Sequence, residues 1–211
     1  MVSDMLWSGL VTSLARPDGN TMGVSMLTVE TDGKRLDILI EAVPGLRRMA
    51  ALIDVNFSIK VAKLDALQKA ARARNVEFSI YRVAKGEDIA PAIDSAQASG
   101  ATALNIVSSP LFHAHRHLIM ERAAAAHLPT IYEFPESAEE GGFAAYGPRR
   151  SQLFSEIMAQ QIVQVLRGSK VADIPVEQAT KFELVINLKT AKGMGVTVPA
   201  TLVARADKVI E

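Results

Sequence analysis

Four polar residues stand at two places where a predicted helix begins just after a predicted strand. Asn56 and Ser58 follow one strand, and Ser108 and Ser109 follow another. Free backbone N–H groups at the start of a helix bind anions, and neighbouring hydroxyl and amide groups add hydrogen bonds. These residues could therefore hold the carboxylate of a small ligand. The alternative is that each side chain only caps its own helix, which is a common role of Ser and Asn.

Aromatic residues stand close to these positions and to the next strand end. Phe57, Phe112, Tyr132 and Phe134 would offer flat rings to an apolar or aromatic ligand, and Glu133 could pair with a ligand amine. The alternatives are core packing for the rings and a solvent-exposed carboxylate for Glu133. Taken as a cluster, the polar and aromatic residues predict a binding site for a small organic molecule.

The sequence favours neither a metal site nor an enzyme. His113 and His117 share a helical face, but no third ligand stands at a convincing spacing, so we expect exposed histidines and no metal. No GxSxG elbow, GxxxxGK[ST] phosphate loop or GxGxxG motif is present. Asp54 ends a strand as a receiver-domain phosphoacceptor does, but the acidic pair and the later Lys are not evident. We expect no cofactor, and an unrecognised enzyme stays the weakest alternative.

Short β-rich runs alternate with helical patterns through the middle of the chain, which is typical of βαβ units and a parallel sheet. Because ligands of open α/β sheets bind outside the carboxyl ends of the strands, this arrangement would bring the candidate residues to one edge. The predicted strands are 49–54, 78–83, 104–107, 130–134 and 143–146, with helices at about 61–71, 89–96 and 113–127 between them.

The flanks of this middle region hold fewer strands. Before it we predict a helix at 5–15, a turn at 16–20, a strand at 22–27 and a helix at 34–42. After it we predict a long helix at 151–166, a strand at 182–188, a short helix and an extended tail. Two strands are too few for an independent sheet covered on both faces, so the flanks are expected to be parts of a second lobe.

The composition gives no support for a nucleic acid or membrane partner. Lys plus Arg and Asp plus Glu both total 23, so no strong field favours nucleic acid or an anionic membrane. The chain has no cysteine, which leaves the redox compartment open. We do not expect the first residues to act as a signal peptide, and no run approaches the roughly 20 apolar residues of a membrane-spanning helix.

Several long blocks resemble a known family, in the right order and nearly from end to end. They are GLVTSLARPDGN (9–20), DGKRLDILIEAVPGLRRMAAL (32–52), AAYGPR (144–149), PVEQATKFELVINLKTAKGMG (175–195) and the closing RADKVIE. The blocks resemble ABC-transporter substrate-binding proteins related to tryptophan and tyrosine uptake. The resemblance implies a type I periplasmic-binding-protein fold, in which two α/β lobes clamp a small ligand. It also implies a non-catalytic, periplasmic role beside an ABC permease.

The start of the chain departs from the family pattern, because members usually carry a signal peptide and roughly a hundred further residues before the first block. We therefore expect a remnant of the N-terminal lobe and hinge at 1–44, a complete C-terminal lobe at 45–147, and a return to the N-terminal lobe at 148–211. Strand 22–27 would then lack a sheet, so we expect a second copy of the chain to cover it in a homodimer.

Two functions follow from the resemblance. The first is a solute-binding component of an ABC importer that binds an amino acid or aromatic compound. The alternative is a truncated remnant of the family that acts as a dimeric interaction or sensor module without transport function. If translation truly starts at Met1, the chain stays in the cytoplasm.

Overall fold

The computed structural model describes Met5 and residues 9–26, 28–57 and 61–211. The chain forms two compact units. The smaller unit contains Met1–Glu30 and Pro148–Phe182, and the larger unit contains Thr31–Gly147 and Glu183–Glu211. Within the described residues, no helix is both long and apolar enough to span a bilayer.

The strands and helices are numbered in chain order. The strands are β1 (Val24–Ser25), β2 (Arg48–Asp54), β3 (Glu77–Val83), β4 (Leu104–Ile106), β5 (Thr130–Tyr132), β6 (Ala144–Gly147), β7 (Glu177–Gln178), β8 (Glu183–Asn187) and β9 (Lys208–Ile210). The α-helices are α1 (Thr28–Ala42), α2 (Val61–Ala73), α3 (Ile89–Ala98), α4 (Pro110–Ala114), α5 (Arg116–Ala125), α6 (Pro135–Glu139), α7 (Ala159–Leu166), α8 (Leu188–Gly193) and α9 (Ala200–Val203). A π-helix precedes α7, and 3₁₀ turns lie at Gly86–Asp88 and Val171–Asp173.

The larger unit is built on a sheet whose described strands have the order β3-β2-β4-β5-β6-β8-β9. Neighbours are parallel except for β6 and β8, which pair antiparallel. Alternate residues of β2 enter different core clusters: Ala50 and Leu52 join one, and Met49 joins another. The sheet is therefore covered on both faces, as its apolar parallel strands require. The α/β class and the parallel sheet predicted from the sequence are confirmed.

The predicted helix at 5–15 is wrong for the residues of that range that the structure describes. Met5 and residues 9–15 form turns and bends. Gly9 has a φ of 73°, and the Ser13 hydroxyl accepts a hydrogen bond from the Arg16 backbone N–H at 3.3 Å. Gly favours such backbone angles, and Ser side chains compete with helical hydrogen bonds, so this stretch with Gly9 and Ser13 forms turns instead.

Two further segments differ from their predicted structures. The predicted helix at 113–127 is interrupted at His115, which separates α4 from α5 with φ −102° and ψ 19°. The tail is not simply extended, because it forms α9 and then β9, which pairs parallel with β8. Val209 lies opposite Ile186, so the tail adds an edge strand to the main sheet.

The two compact units have other bounds than the expected segments 1–44 and 148–211, and the division into lobes stays a prediction. Leu36 and Leu39 of α1 are fully buried in the core of the larger unit, and β8 and β9 continue its sheet. Residues 31–44 and 183–211 therefore belong with the larger unit. The first segment of the larger unit ends at Gly147.

The smaller unit contains a short parallel pair of strands. Strand β1 pairs with β7, with Val24 opposite Glu177. The predicted strand at 22–27 is thus shorter than expected, and Leu27 lies outside the described residues. The buried Gln161 side chain donates hydrogen bonds to the carbonyls of Gly23 and Pro175, each at 3.1 Å. The Gln161 amide thus links helix α7 to the two segments that contain the strands.

Candidate functional site

A small recess lies at the carboxyl ends of β4 and β5 in the larger unit. Its volume is about 30 Å³, which is enough to hold a water-sized group. The position agrees with the rule that ligands of open α/β sheets bind beyond the carboxyl ends of their strands. The residues that line it are Ile106, Ser108, Ser109, Phe112, His113, Arg116, Tyr132, Glu133, Phe134 and Ser137.

Glu133 is the buried acid of this recess. It directly follows β5 and is only 3 % exposed. The Ser108 hydroxyl, which follows β4, donates a hydrogen bond to the Glu133 carboxylate. A carboxylate taken out of water is costly unless hydrogen bonds or a cation stabilise it. The expectation that Glu133 is an exposed surface acid is therefore wrong.

Three aromatic rings surround the acid. Phe112, Tyr132 and Phe134 are all less than 10 % exposed, and the first two also belong to the core of the larger unit. The His113 ring meets Phe134 edge to face, with the centroids 6.2 Å apart and the planes at 74°. The rings therefore serve both packing and the wall of the recess, so neither of the two predicted roles excludes the other.

Burial also affects the Tyr132 hydroxyl. Desolvation raises the pKa of this group above its ordinary value, while a hydrogen bond with the Thr130 side chain lowers it. The hydroxyl consequently stays protonated over the physiological pH range.

The two serines that follow β4 have different roles. Ser109 caps α4, because its hydroxyl accepts a hydrogen bond from the Phe112 backbone N–H at 3.1 Å. Ser108 instead bonds to Glu133. The capping alternative thus applies to Ser109, which still lines the recess through its position at the start of the helix.

The structure does not bring the residues that follow β2 into this recess. The Asn56 side chain donates to the carbonyl of Ala84 at 2.7 Å, and its backbone N–H donates to Asp54 at 2.9 Å. Phe57 is half-buried beside it. Neither lines the recess, and Ser58 lies outside the described residues. The recess is lined from the segments that follow β4 and β5, and β2 borders β4 on the side away from β5.

Three of the residues that line the recess were not predicted from the sequence to be ligand-site residues. His113, Arg116 and Ser137 lie in the short helices that follow β4 and β5. The Arg116 guanidinium pairs with Glu140 and donates to the carbonyl of His113 at 3.2 Å. Extending the search a turn or two into the helices beyond each strand end would have found these residues.

Because Gly142 has no side chain, it leaves space for the Tyr132 ring beside the recess. A β-carbon on Gly142 would lie 2.7 Å from the ring and 2.8 Å from the Ser137 carbonyl oxygen. Both separations are far shorter than van der Waals contact, so a side chain here would displace a recess residue.

The histidines do not assemble a metal site in the described part of the chain, where no group of three His, Cys, Asp or Glu side chains stands close enough to hold an ion. His117 instead lies 3.8 Å from a Glu140 carboxylate oxygen and is well exposed. The described residues thus offer chemistry for holding a polar organic group, with a buried carboxylate, a hydroxyl and aromatic faces.

A mostly parallel sheet with a recess beyond its strand ends occurs in type I periplasmic-binding-protein-like folds, and solved structures match the chain in this fold. A protein from Vibrio cholerae O1 biovar El Tor, described as a conserved domain protein, superposes with a TM-score of 0.88. It is 20 % identical, and the match covers 99 % of this chain and 69 % of that one. A domain from Streptococcus pneumoniae in complex with L-Trp gives 0.85 at 21 % identity, covering 99 % and 71 %. The predicted fold is confirmed.

The family follows from the sequence itself. The family model described as ABC transporter substrate binding protein matches residues 1–210, so the chain belongs to that family. A tyrosine-binding protein of Clostridioides difficile (strain R20291) is 25 % identical over 194 residues, which are 92 % of this chain. The match spans 55 % of that relative, so this chain covers about half the relative's length. The resemblance stated from the sequence blocks is confirmed.

Proposed function

We propose that the protein is a non-catalytic solute-binding component of an ABC importer, and that its ligand is an amino acid with an aromatic side chain. The observation that supports this proposal is the buried carboxylate of Glu133 beside Phe112, Tyr132 and Phe134. The proposed partner is an ABC permease, and the proposed compartment is the periplasm, because the family is one of transport proteins.

The first part of the argument concerns charge. Glu133 is 3 % exposed, and Ser108 supplies a neutral hydroxyl. A ligand ammonium would add a charge-assisted hydrogen bond, and such bonds contribute about 1.5–3 kcal/mol each. An ammonium group is about as large as a water molecule, so a recess of about 30 Å³ suits it. The side chain of the ligand would lie at the mouth of the recess, against the ring edges that face it.

The second part concerns the rings. Phe134 and Tyr132 flank Glu133 in the sequence, and Phe112 lies on the neighbouring helix. Aromatic pairs contribute about 0.5–1.5 kcal/mol beyond the area they bury, so an aromatic ligand gains from these walls. The relatives support the same ligand class: one is described as a tyrosine-binding protein, and another was solved with L-Trp.

Calorimetric titration tests the proposal. We would titrate the protein with L-tryptophan, L-tyrosine and L-leucine, and repeat each titration with Glu133→Gln. The substitution removes the charge but keeps the shape, so affinity for an aromatic amino acid should fall about 10- to 150-fold. Glu121→Gln on the exposed face of α5 is the matched control and should change nothing. Unchanged affinity in Glu133→Gln would contradict the proposed site.

We also propose that the chain forms a homodimer. Phe154, Ile162, Val163 and Leu166 are large apolar side chains on the helical segment 152–166, and Leu166 is 80 % exposed. Several large apolar side chains exposed on one helical segment are typical of protein interfaces. Light scattering should give twice the chain mass, and Leu166→Lys should shift the protein toward monomer. A wild-type monomer at micromolar concentration would contradict this proposal, and with it the alternative of a dimeric sensor module.

A further inference from the structure

Gly147, the last residue of β6, lies against the backbone of Glu133. A β-carbon built on Gly147 would stand 2.0 Å from the Glu133 carbonyl oxygen and 3.1 Å from its carbonyl carbon. Real β-carbons essentially never approach another heavy atom within 3.0 Å. The obstacle is main chain, which cannot swing aside as a long side chain does. Only glycine leaves Glu133 where the structure has it.

Gly147 does not need glycine for its own backbone angles. Its φ is not among the positive values that several other glycines of the described chain adopt. In the pairing of β5 with β6, Tyr132 and Ala145 are the last paired residues, so Glu133 and Gly147 meet beyond the paired part of the two strands. The requirement for glycine therefore comes from the contact with Glu133 and not from a turn.

The residue before Gly147 is held from a different element. Arg35 of α1 is fully buried and donates a hydrogen bond from Nη1 to the carbonyl oxygen of Tyr146 at 3.1 Å. The same guanidinium pairs with the carboxylate of Asp32. A charged donor bound to a strand-end carbonyl restrains that strand end, so Gly147 is held in its contact with Glu133.

We propose that Gly147, restrained by Arg35 through the Tyr146 carbonyl, is a positioning residue for the ligand-binding carboxylate of Glu133. The inference rests on the proposed function of Glu133. A methyl group at position 147 must push the Glu133 carbonyl away by about 1.4 Å to reach ordinary contact. Because hydrogen-bonding groups must be held within about 0.5 Å of the productive geometry, the ligand ammonium loses its partner.

The test is a thermodynamic cycle measured by calorimetric titration with L-tryptophan. Gly147→Ala should weaken binding about ten-fold, which corresponds to about 1.4 kcal/mol. The same substitution in a Glu133→Gln background should cause no further loss, because the group that Gly147 positions is already gone. Gly193→Ala is the matched control, since a β-carbon there meets nothing within 4 Å, and it should bind like the wild type.

Arg35→Lys is the second variant and decides the matter if Gly147→Ala does not fold. Lysine keeps a positive charge near Asp32 but loses the planar donor that reaches Tyr146. We expect a several-fold loss of L-tryptophan affinity that again vanishes in the Glu133→Gln background. Arg74→Lys, which changes a surface ion pair with Asp37, is the control and should bind normally.

The outcomes separate this inference from the proposed function. Equal losses in the wild-type background and in the Glu133→Gln background would be the mark of general packing damage, so additivity in the cycle overturns the positioning role. Undiminished affinity in folded Gly147→Ala overturns it as well. If Glu133→Gln itself leaves affinity unchanged, the proposed function of Glu133 fails and the inference fails with it.

Discussion

Removing the buried charge of Arg35 should strongly destabilise the larger unit. The guanidinium is inaccessible to solvent, and the Asp32 side chain that pairs with it is 4 % exposed. The substitution Arg35→Met keeps most of the side-chain volume but leaves the Asp32 charge without this partner. It also removes the donor to the Tyr146 carbonyl.

The size of the effect follows from these contacts. Breaking a buried ion pair by removing one member costs about 3–5 kcal/mol. Whole domains have a free energy of unfolding of about 5–15 kcal/mol, so the loss should be a large part of the total. Arg74→Met removes a comparable pair whose side chains are 40 % and 39 % exposed, and solvent screening should hold its cost below about 1 kcal/mol.

Urea unfolding followed by circular dichroism measures both variants. The double variant Arg35→Met/Asp32→Asn has no charge left at either position, so it should be more stable than Arg35→Met alone. Two results would refute this reasoning. One is a cost for Arg35→Met no larger than that for Arg74→Met, and the other is a cost for the double variant equal to the sum of the costs of Arg35→Met and Asp32→Asn measured singly.

Two further expectations concern buried polar groups. Because the pKa of Tyr132 is raised in the folded protein, the unfolded chain loses this proton first as the pH rises above about 10, so stability should fall there by up to about 1.4 kcal/mol per pH unit. Urea unfolding from pH 8 to 11 should show a shallower decline for Tyr132→Phe, and identical slopes would contradict the assignment. Gln161→Leu leaves the Pro175 carbonyl without this donor and removes one of two donors to the Gly23 carbonyl, which also accepts from the Glu177 N–H, so it should destabilise the smaller unit by about 1–3 kcal/mol. The exposed Gln164→Leu should be nearly neutral. Equal unfolding curves for the two leucine variants would exclude a structural role for the Gln161 amide.

The site could be predicted in part because the rule for parallel sheets needs only the strand ends. Ser108, Tyr132 and Glu133 lie at or near the ends of short apolar runs that the sequence predicts to be strands, and the structure brings them together. The same rule could not exclude Asn56, since the strand order that separates it from β5 depends on long-range pairing. Local sequence patterns contain no record of that order.

Other features depend on contacts through space. The sequence around Gly147 indicates only that a strand ends before Pro148, whereas the need for glycine comes from the carbonyl of Glu133. The pattern of α1 shows an apolar face without showing which unit covers it, and the core contacts of Leu36 and Leu39 decide that. Pattern analysis therefore predicted where elements lie better than which elements they join.

The most direct test of the proposed site is a crystal structure of the protein grown with L-tryptophan. We expect the ligand ammonium within about 3 Å of a Glu133 carboxylate oxygen, with the indole against the aromatic walls of the recess. A ligand bound elsewhere, or bound with its carboxylate directed at Glu133, would contradict the assignment of Glu133 as the acid that recognises the ligand amine.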